Sequence, residues 1–408
     1  MEKKIKLGLI GLGQRGNGLL HTIFNIKDVA VVALCDQYID RVQATAKRVV
    51  EHVQNEPKQT TDYREILQED IDGIIVATSW SNHVEVTLAA LKEGIPVGME
   101  VGGTHSIEDC RKLVNCYEAT RTPFMFLENC CYNKSELLVT SLVRNGVLGN
   151  ISYCQGAYCH DLREEIAGGI DTHHYRLQEY QKFNCENYPT HELGPIAKIL
   201  HINRGNRFKK LVSMSSKAQG MESYISQTPK YSNRLKGIKF NQGDVTTTMI
   251  QCENGETILL KLDTTLPRLY DRNLTVCGTK GFYCQTTEQV ILDDGRYNHE
   301  LPEENFRSFG NEKEFYQYLP KEWREITSEQ IALGHGGMDY IMLKSFFSKI
   351  REQKPMPIDI YDAVSWMSVT ALSEQSIAKG SIPIEFPDFT EGQYRERKTI
   401  DVLELPKI

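Results

Sequence analysis

The apolar run Ile5–Ile10 leads straight into Gly11-Leu12-Gly13-Gln14-Arg15-Gly16, and a helical pattern starts directly after it. No other stretch limits the fold as much. Gly11, Gly13 and Gly16 have the spacing G-x-G-x-x-G. The first glycine permits a tight turn, the second lets backbone approach a pyrophosphate, and the third lets helix pack on strand. The helix that follows would offer free N–H groups and the positive end of its dipole to phosphates. A second apolar run, Val29–Cys35, ends in Asp36, twenty residues after Gly16. An acid there accepts ribose hydroxyls and repels a 2′-phosphate. The set predicts a strand–turn–helix that holds NAD rather than NADP.

A chain of 408 residues is too long for one ordinary core, so two domains are expected. Residues 1–127 alternate strand and helix: helix at 39–53, strand at 71–78, helix at 84–93, strand at 96–100, helix at 107–119 and strand at 124–127. That rhythm predicts a parallel, doubly wound Rossmann sheet with right-handed crossovers. The pattern changes beyond residue 128. A helix at 135–145 is followed by strand-like runs at 151–158, 211–216, 245–252 and 257–264. Asn254-Gly255 between the last two signals a hairpin. Another strand pair brackets Gly278-Thr279-Lys280, and helices at 338–350 and 361–379 close the chain. Residues 128–408 are therefore expected to form an α/β substrate-binding and catalytic domain with a mixed, mostly antiparallel sheet. The polar stretch 221–242 lacks periodicity and is read as a loop over the site.

Composition excludes several classes. With a net charge of −7 and no basic block, the chain is not expected to bind nucleic acid. No apolar run approaches the roughly 20 residues of a membrane helix. Eleven scattered cysteines, with no C-x-x-C pair, read as reduced structural thiols. Met1-Glu2-Lys3-Lys4 runs into the first strand and leaves no room for a signal peptide, so a cytoplasmic location is expected. An open face on the antiparallel sheet would suit a homo-oligomer.

Ligands of doubly wound sheets bind beyond the C-terminal strand ends. That rule selects Thr78-Ser79-Trp80-Ser81-Asn82-His83, Glu100-Val101-Gly102-Gly103 and Glu128-Asn129 for the nicotinamide half of the cofactor. The plainer alternative is that Ser81 or Asn82 caps the following helix. In the second domain Tyr158-Cys159-His160-Asp161-Leu162-Arg163 forms one cluster. The other runs from Asp171-Thr172-His173-His174-Tyr175-Arg176 to Tyr188-Pro189-Thr190-His191-Glu192. Tyrosine and histidine suit proton transfer beside an oxidisable hydroxyl. His173, His174, His191 and Glu192 could be read as metal ligands, but no spacing matches a familiar zinc site, and no metal is expected.

The glycine loop, Thr78 with Asn82-His83, the glutamate after the fifth strand and Asp362-Ala363-Val364-Ser365-Trp366 resemble the Gfo/Idh/MocA oxidoreductase superfamily over nearly the whole chain. Dehydrogenases of that superfamily usually carry Glu-Lys-Pro where this chain has Glu100-Val101-Gly102. They often carry Asp-x-Gly-x-His where it has Asn187-Tyr188-Pro189-Thr190-His191. Both departures, with Trp80-Ser81-Asn82-His83, Glu128-Asn129-Cys130-Cys131-Tyr132 and the segment from Gln155 to Arg163, resemble glycoside hydrolase family 109, the NAD-dependent α-N-acetylgalactosaminidases. The resemblance implies NAD contacts at Gln14, Arg15, Asp36, Trp80, Ser81, Asn82, His83, Glu100, Val101 and Asn129. It implies sugar contacts at Tyr158, Arg176, Tyr188, Pro189, Thr190, His191 and Tyr270, with Glu128 at a further active-site position.

The same resemblance implies hydrolysis of a small glycoside with no net redox change: oxidation at C3, removal of the C2 proton, elimination at C1, addition of water and return of the hydride. His191 is expected to take the C3 hydroxyl proton. Tyr158 is expected to be the C2 base, its pKa lowered by Arg176. Tyr188, Tyr270 and Glu128 would position the sugar or shuttle a proton. Two other readings stay open. An NAD-dependent sugar dehydrogenase would form net NADH, against which the missing lysine speaks. A non-catalytic sensor would bind without turnover.

Overall fold

The computed structural model describes residues 4–53, 56–296, 300 and 310–408. Six strands form the first sheet: β1 (Ile5–Ile10), β2 (Val29–Cys35), β3 (Lys58–Thr60), β4 (Gly73–Val76), β5 (Val97–Met99) and β6 (Phe124–Phe126). All neighbours are parallel, in the order β3-β2-β1-β4-β5-β6. The order reverses between β1 and β4, which opens a crevice at their C-terminal ends. Strands β4, β5 and β6 are short and wholly apolar because helices cover both faces. Strand β3 was not anticipated; Lys58-Gln59-Thr60 has no apolar pattern to show it.

The helix expected at 84–93 begins four residues earlier and spans Trp80–Lys92. Ser79 is the extended N-cap residue, so Ser81 and Asn82 lie in the first turn and do not cap. Trp80 is thereby placed at the mouth of the crevice.

The second sheet contains β7 (Ile151–Cys159), β8 (Phe208–Ser215), β9 (Val245–Cys252), β10 (Thr257–Asp263), β11 (Thr275–Gly278), β12 (Gly281–Cys284), β13 (Gln289–Leu292) and β14 (Ile384–Glu385). Its order is β13-β12-β11-β7-β10-β9-β8-β14. Neighbours are antiparallel except the parallel pair β7 and β10. The β9–β10 hairpin turns at Gly255, whose φ is 103°. Ile250, Ile258, Leu260 and Val276 are buried on the inner face of the sheet, whose strands β7 and β8 carry the helices Thr190–Ile199 and Ile360–Ala378 respectively. The outer face leaves Met214, Met249 and Phe282 exposed.

Helices Met338–Glu352 and Ile360–Ala378 return to the first sheet. Phe126 donates its backbone N–H to the Ile358 carbonyl (3.0 Å), closing the β6 edge. Trp366 lies edge-on to Phe126 (6.1 Å), and one apolar core joins the two sheets. The polar stretch read as a loop at 221–242 contains two short helices, Gly220–Gln227 and Pro229–Ser232. Three more helices were missed, Arg163–Thr172, Arg176–Lys182 and Thr190–Ile199; internal glycines or Pro195 interrupt two of their patterns. No helix among the described residues is long and apolar enough to cross a membrane.

Candidate active site

A single cleft of about 1400 Å³ runs from the glycine loop to the end of β7. Its first half is built for a dinucleotide. Gly11 has φ 95°, and a Cβ there would lie 2.4 Å from the Ala77 backbone. A Cβ on Gly16 would lie 1.9 Å from the Gly11 carbonyl oxygen, so this glycine serves helix packing and does not face the cleft. Gly13 differs. A Cβ on it would meet nothing closer than Arg41 at 3.8 Å, so only a ligand needs that space. The helix Gln14–Ile23 has no side-chain N-cap and no acid in its first turn, which leaves its N–H groups and dipole for phosphate. Asp36 is buried at the end of β2. Its carboxylate accepts from Leu12 N (2.7 Å) and Tyr38 N (3.0 Å), which aims it along the cleft wall.

These features fit NAD and give a direct test. Gly13→Val should leave the melting temperature of the ligand-free protein within the shift expected for about 0.5 kcal/mol. The stabilisation by added NAD should vanish. A thermal-shift titration that still shows wild-type NAD stabilisation contradicts the assignment.

Arg15 is held harder than a simple cofactor contact requires. It donates to both oxygens of Asp339 (2.7 and 3.0 Å) and pairs with Glu100 (2.9 Å). Asn129 Nδ2 donates to the same Asp339 (2.8 Å), and His335 Nδ1 approaches it at 2.8 Å. Burial would push the Asp339 carboxyl up, but Arg15 and His335 outweigh it and hold it well below the carboxylate range. Asp339 and His335 line the cleft and were missed in the sequence. Gly334, Gly336 and Gly337, all with positive φ around His335, are the signal that could have shown them. His83 also lines the cleft. Burial lowers it to about 4, so it is neutral and donates Nε2–H to the Thr78 carbonyl (2.9 Å). Val101 is buried and supplies no proton where superfamily dehydrogenases carry lysine.

The second half of the cleft gathers Tyr158, Arg176, Tyr188 and His191. Arg176 pairs with Glu165 (2.6 Å), and its guanidinium lies over the rings of Trp80 (5.2 Å) and Tyr188 (5.2 Å). Its buried Nε has no hydrogen-bond partner among the described residues, a donor left for a ligand. His191 lies in the first turn of the helix Thr190–Ile199, and its Nδ1 is 2.8 Å from Glu128 Oε1. A carboxylate only accepts, so Nδ1 carries the proton and Nε2 is left basic. Tyr188 hydroxyl donates to that Nε2 at 3.3 Å. Burial would raise the Glu128 carboxyl, but a proton shared with His191 and the bonds from His191, Thr190 and Cys130 N together hold it below the usual value.

Glu128 is fully buried behind His191; it does not line the cleft. Its side chain also caps the 3-10 turn Asn129–Tyr132 through Cys130 N (3.0 Å). Glu128, Cys130 and His191 lie within 4.8 Å of one another. The Cys130 thiol, which burial favours in its protonated form, donates to Asn129 Oδ1 (3.6 Å), while Glu128 and His191 bond to each other. Tyr270 is half-exposed and does not line the cleft; its ring is edge-on to Tyr158 (6.3 Å), and its hydroxyl accepts from Arg272 (3.3 Å).

Three expectations need correction. Pro189 and Thr190 are buried and do not line the cleft. Pro189 precedes the helix and Thr190 opens it, so they set Tyr188 and His191 in place. Ser81 is solvent-exposed and does not itself line the cleft; its hydroxyl is 3.2 Å from that of Ser79, which does. The Tyr158 hydroxyl is not acidified: burial raises it strongly, and the opposing pull of Arg176 is smaller.

The model of the family described as "Glycosyl hydrolase 109, C-terminal domain" matches residues 132–396, and "Oxidoreductase family, NAD-binding Rossmann fold" matches residues 5–126. The chain belongs to glycosyl hydrolase family 109. It is a glycoside hydrolase with an NAD-binding Rossmann fold. A family 109 protein of Stenotrophomonas maltophilia is 35% identical over 98% of this chain and 92% of its own. An alpha-N-acetylgalactosaminidase of Tannerella forsythia is 34% identical over 97% and 89%. Myo-inositol 2-dehydrogenase from Lactobacillus plantarum shares the fold at TM-score 0.65 and 14% identity, over 94% of this chain and 100% of that one. The site of this family 109 chain thus joins a Gfo/Idh/MocA-type Rossmann half to a second half lined by tyrosines, an arginine and a histidine paired with glutamate.

Proposed function

We propose that this protein hydrolyses α-N-acetylgalactosaminides with NAD held in place throughout. The observation that carries the reading is the Glu128–His191 pair with a basic Nε2, set beside Tyr158 and Tyr188 in the cleft that the glycine loop opens into. The relative from Tannerella forsythia carries that activity in its name. The chemistry that NAD supplies when bound is reversible hydride transfer at C3 of the sugar. His191 Nε2 holds the C3 hydroxyl proton, displacing Tyr188, while Glu128 balances the charge. A carbonyl at C3 acidifies the C2 hydrogen, and Tyr158 moves it. The C1 oxygen then leaves, and water adds in its place. Arg176 and Tyr270 orient the sugar.

Residues 1–127 serve the dinucleotide and residues 128–408 the sugar, a division that the two family matches support. The eleven free cysteines, mostly buried, support a reducing, cytoplasmic setting. The exposed apolar side chains on the outer face of the second sheet suit a second copy of the chain; a monomer by light scattering contradicts that part.

The activity is tested with 4-nitrophenyl α-N-acetylgalactosaminide. Nitrophenol release without net NADH supports the glycosidase. Net NADH from free sugar, without release, replaces it with a dehydrogenase.

A further inference from the structure

Tyr158 poses a chemical problem. Burial makes its phenolate costly, yet the C2 hydrogen needs a base. The phenol's hydrogen-bond partner among the described residues is His160 Nδ1, at 3.3 Å. We infer that His160 receives the proton of Tyr158, so that the C2 proton of the sugar passes through the phenol to the imidazole. This inference rests on the glycosidase reading above.

The geometry is built in by the strand. Tyr158 lies near the end of β7 and His160 directly follows it, where the Cys159–Asp271 bridge keeps the chain extended, so both side chains point to one face. Their rings meet edge-on, with centroids 5.9 Å apart. Backbone bonds fix the segment: Cys159 N donates to Asp271 O (3.1 Å), and His160 N donates to Asp263 O (2.9 Å). His160 itself lines the cleft.

Its surroundings suit a proton that arrives and leaves. Burial lowers the imidazole pKa, so it rests neutral and Nδ1 can accept. Glu165, from the helix Arg163–Thr172, and the neighbouring Asp161 favour the charged form. Arg176, from the helix Arg176–Lys182, and His191 oppose it. Tyr270 approaches edge-on at 5.1 Å from the loop after β10. Glu165 and Arg176 form an ion pair of their own (2.6 Å), so neither field dominates.

The step balances. The Tyr158 O–H bond breaks toward His160 Nδ1 as the phenol oxygen takes the C2 hydrogen. The C2–H electron pair becomes the C1–C2 double bond, with the C3 carbonyl as electron sink. The C1–O pair leaves with the departing oxygen. When water adds at C1, Tyr158 returns a proton to C2 and regains one from His160. The surplus proton of water goes to the departed oxygen. Tyr158 is neutral before and after each transfer, which removes the problem of the buried phenolate. His160 acts through Tyr158 and is a positioning residue and proton acceptor behind it.

The test uses the NAD-loaded protein and 4-nitrophenyl α-N-acetylgalactosaminide, with and without deuterium at C2. His160→Asn keeps a polar atom at the Nδ1 position but cannot take up a proton. In a single turnover the variant should form bound NADH fluorescence as fast as wild type and then hold it. Nitrophenol release should slow on the order of a hundredfold, with a larger C2 isotope effect. A merely structural defect would not let oxidation proceed while elimination stalls. Release at the wild-type rate overturns the relay, as does failure to form NADH. If His160→Asn loses its NAD, His160→Gln, which puts its amide at the Nε2 position, is read by the same outcomes. A wild-type protein that releases nitrophenol while the variant is unchanged sinks the relay alone. A wild-type protein that cleaves no glycoside sinks the glycosidase reading with it.

Discussion

Tyr158→Phe lowers turnover by about three orders of magnitude while NAD binding is unchanged. The substitution deletes one oxygen from a ring that is 6% exposed and packed against Tyr188 (4.6 Å) and His191 (5.7 Å). The ring stays, so packing stays, and the stability change is that of one hydrogen bond, about 1 kcal/mol. The C2 hydrogen, however, then has no oxygen to leave to. Turnover numbers and an NAD thermal-shift titration on the same preparation separate the two effects. Turnover within tenfold of wild type removes Tyr158 from the proton path.

The second large effect falls on a residue that need not touch the sugar. Glu128→Gln should cost on the order of a hundred- to ten-thousandfold in kcat with little change in KM. The carboxylate fixes the His191 proton on Nδ1 and balances the charge that forms when Nε2 takes a proton. Glutamine keeps the shape but offers an N–H as well as a C=O, so the imidazole can turn its basic nitrogen away. The same change removes a buried negative charge that His191 stabilises in the present site. Unfolding curves distinguish lost catalysis from lost fold. A KM effect with normal kcat would place Glu128 in substrate binding and not behind the base.

What could be read from the sequence followed local rules. Gly11, Gly13, Gly16 and Asp36 belong to one strand–turn–helix–strand unit, and a spacing rule suffices for them. Arg15 and Asp339 are 324 residues apart, and only the return of the helix Met338–Glu352 to the first sheet joins them. The Glu128–His191 contact depends on Gly194, where a Cβ would come within 2.9 Å of Glu128 Cγ. Close approach of this kind leaves no periodic trace. Gly102 plays the same part for Trp80, whose Cδ1 would lie 2.3 Å from a Cβ there. That explains physically why Trp80 accompanies Glu100-Val101-Gly102.

Family resemblance reached further than the residues alone, yet only as far as motif positions. It selected Tyr188, Pro189, Thr190 and His191 together, although a helix start turns the first and last to the cleft and the middle two inward. Electrostatic reasoning on those positions suggested that Arg176 acidifies Tyr158, whereas burial decides the direction. Side-chain burial is a property of the assembled site, and no pattern of four residues encodes it.

The central claim is that the glycosidic bond breaks by elimination after oxidation at C3. Hydrolysis of 4-nitrophenyl α-N-acetylgalactosaminide in deuterium oxide tests it most directly, with the released sugar analysed at C2 and C3. The account predicts deuterium at C2, because the protons on Tyr158 and the cleft-lining His160 exchange with solvent before one returns to the sugar, with the original hydrogen at C3 and no net NADH. Release of sugar with the C2 hydrogen fully retained would contradict it and point to direct displacement at C1.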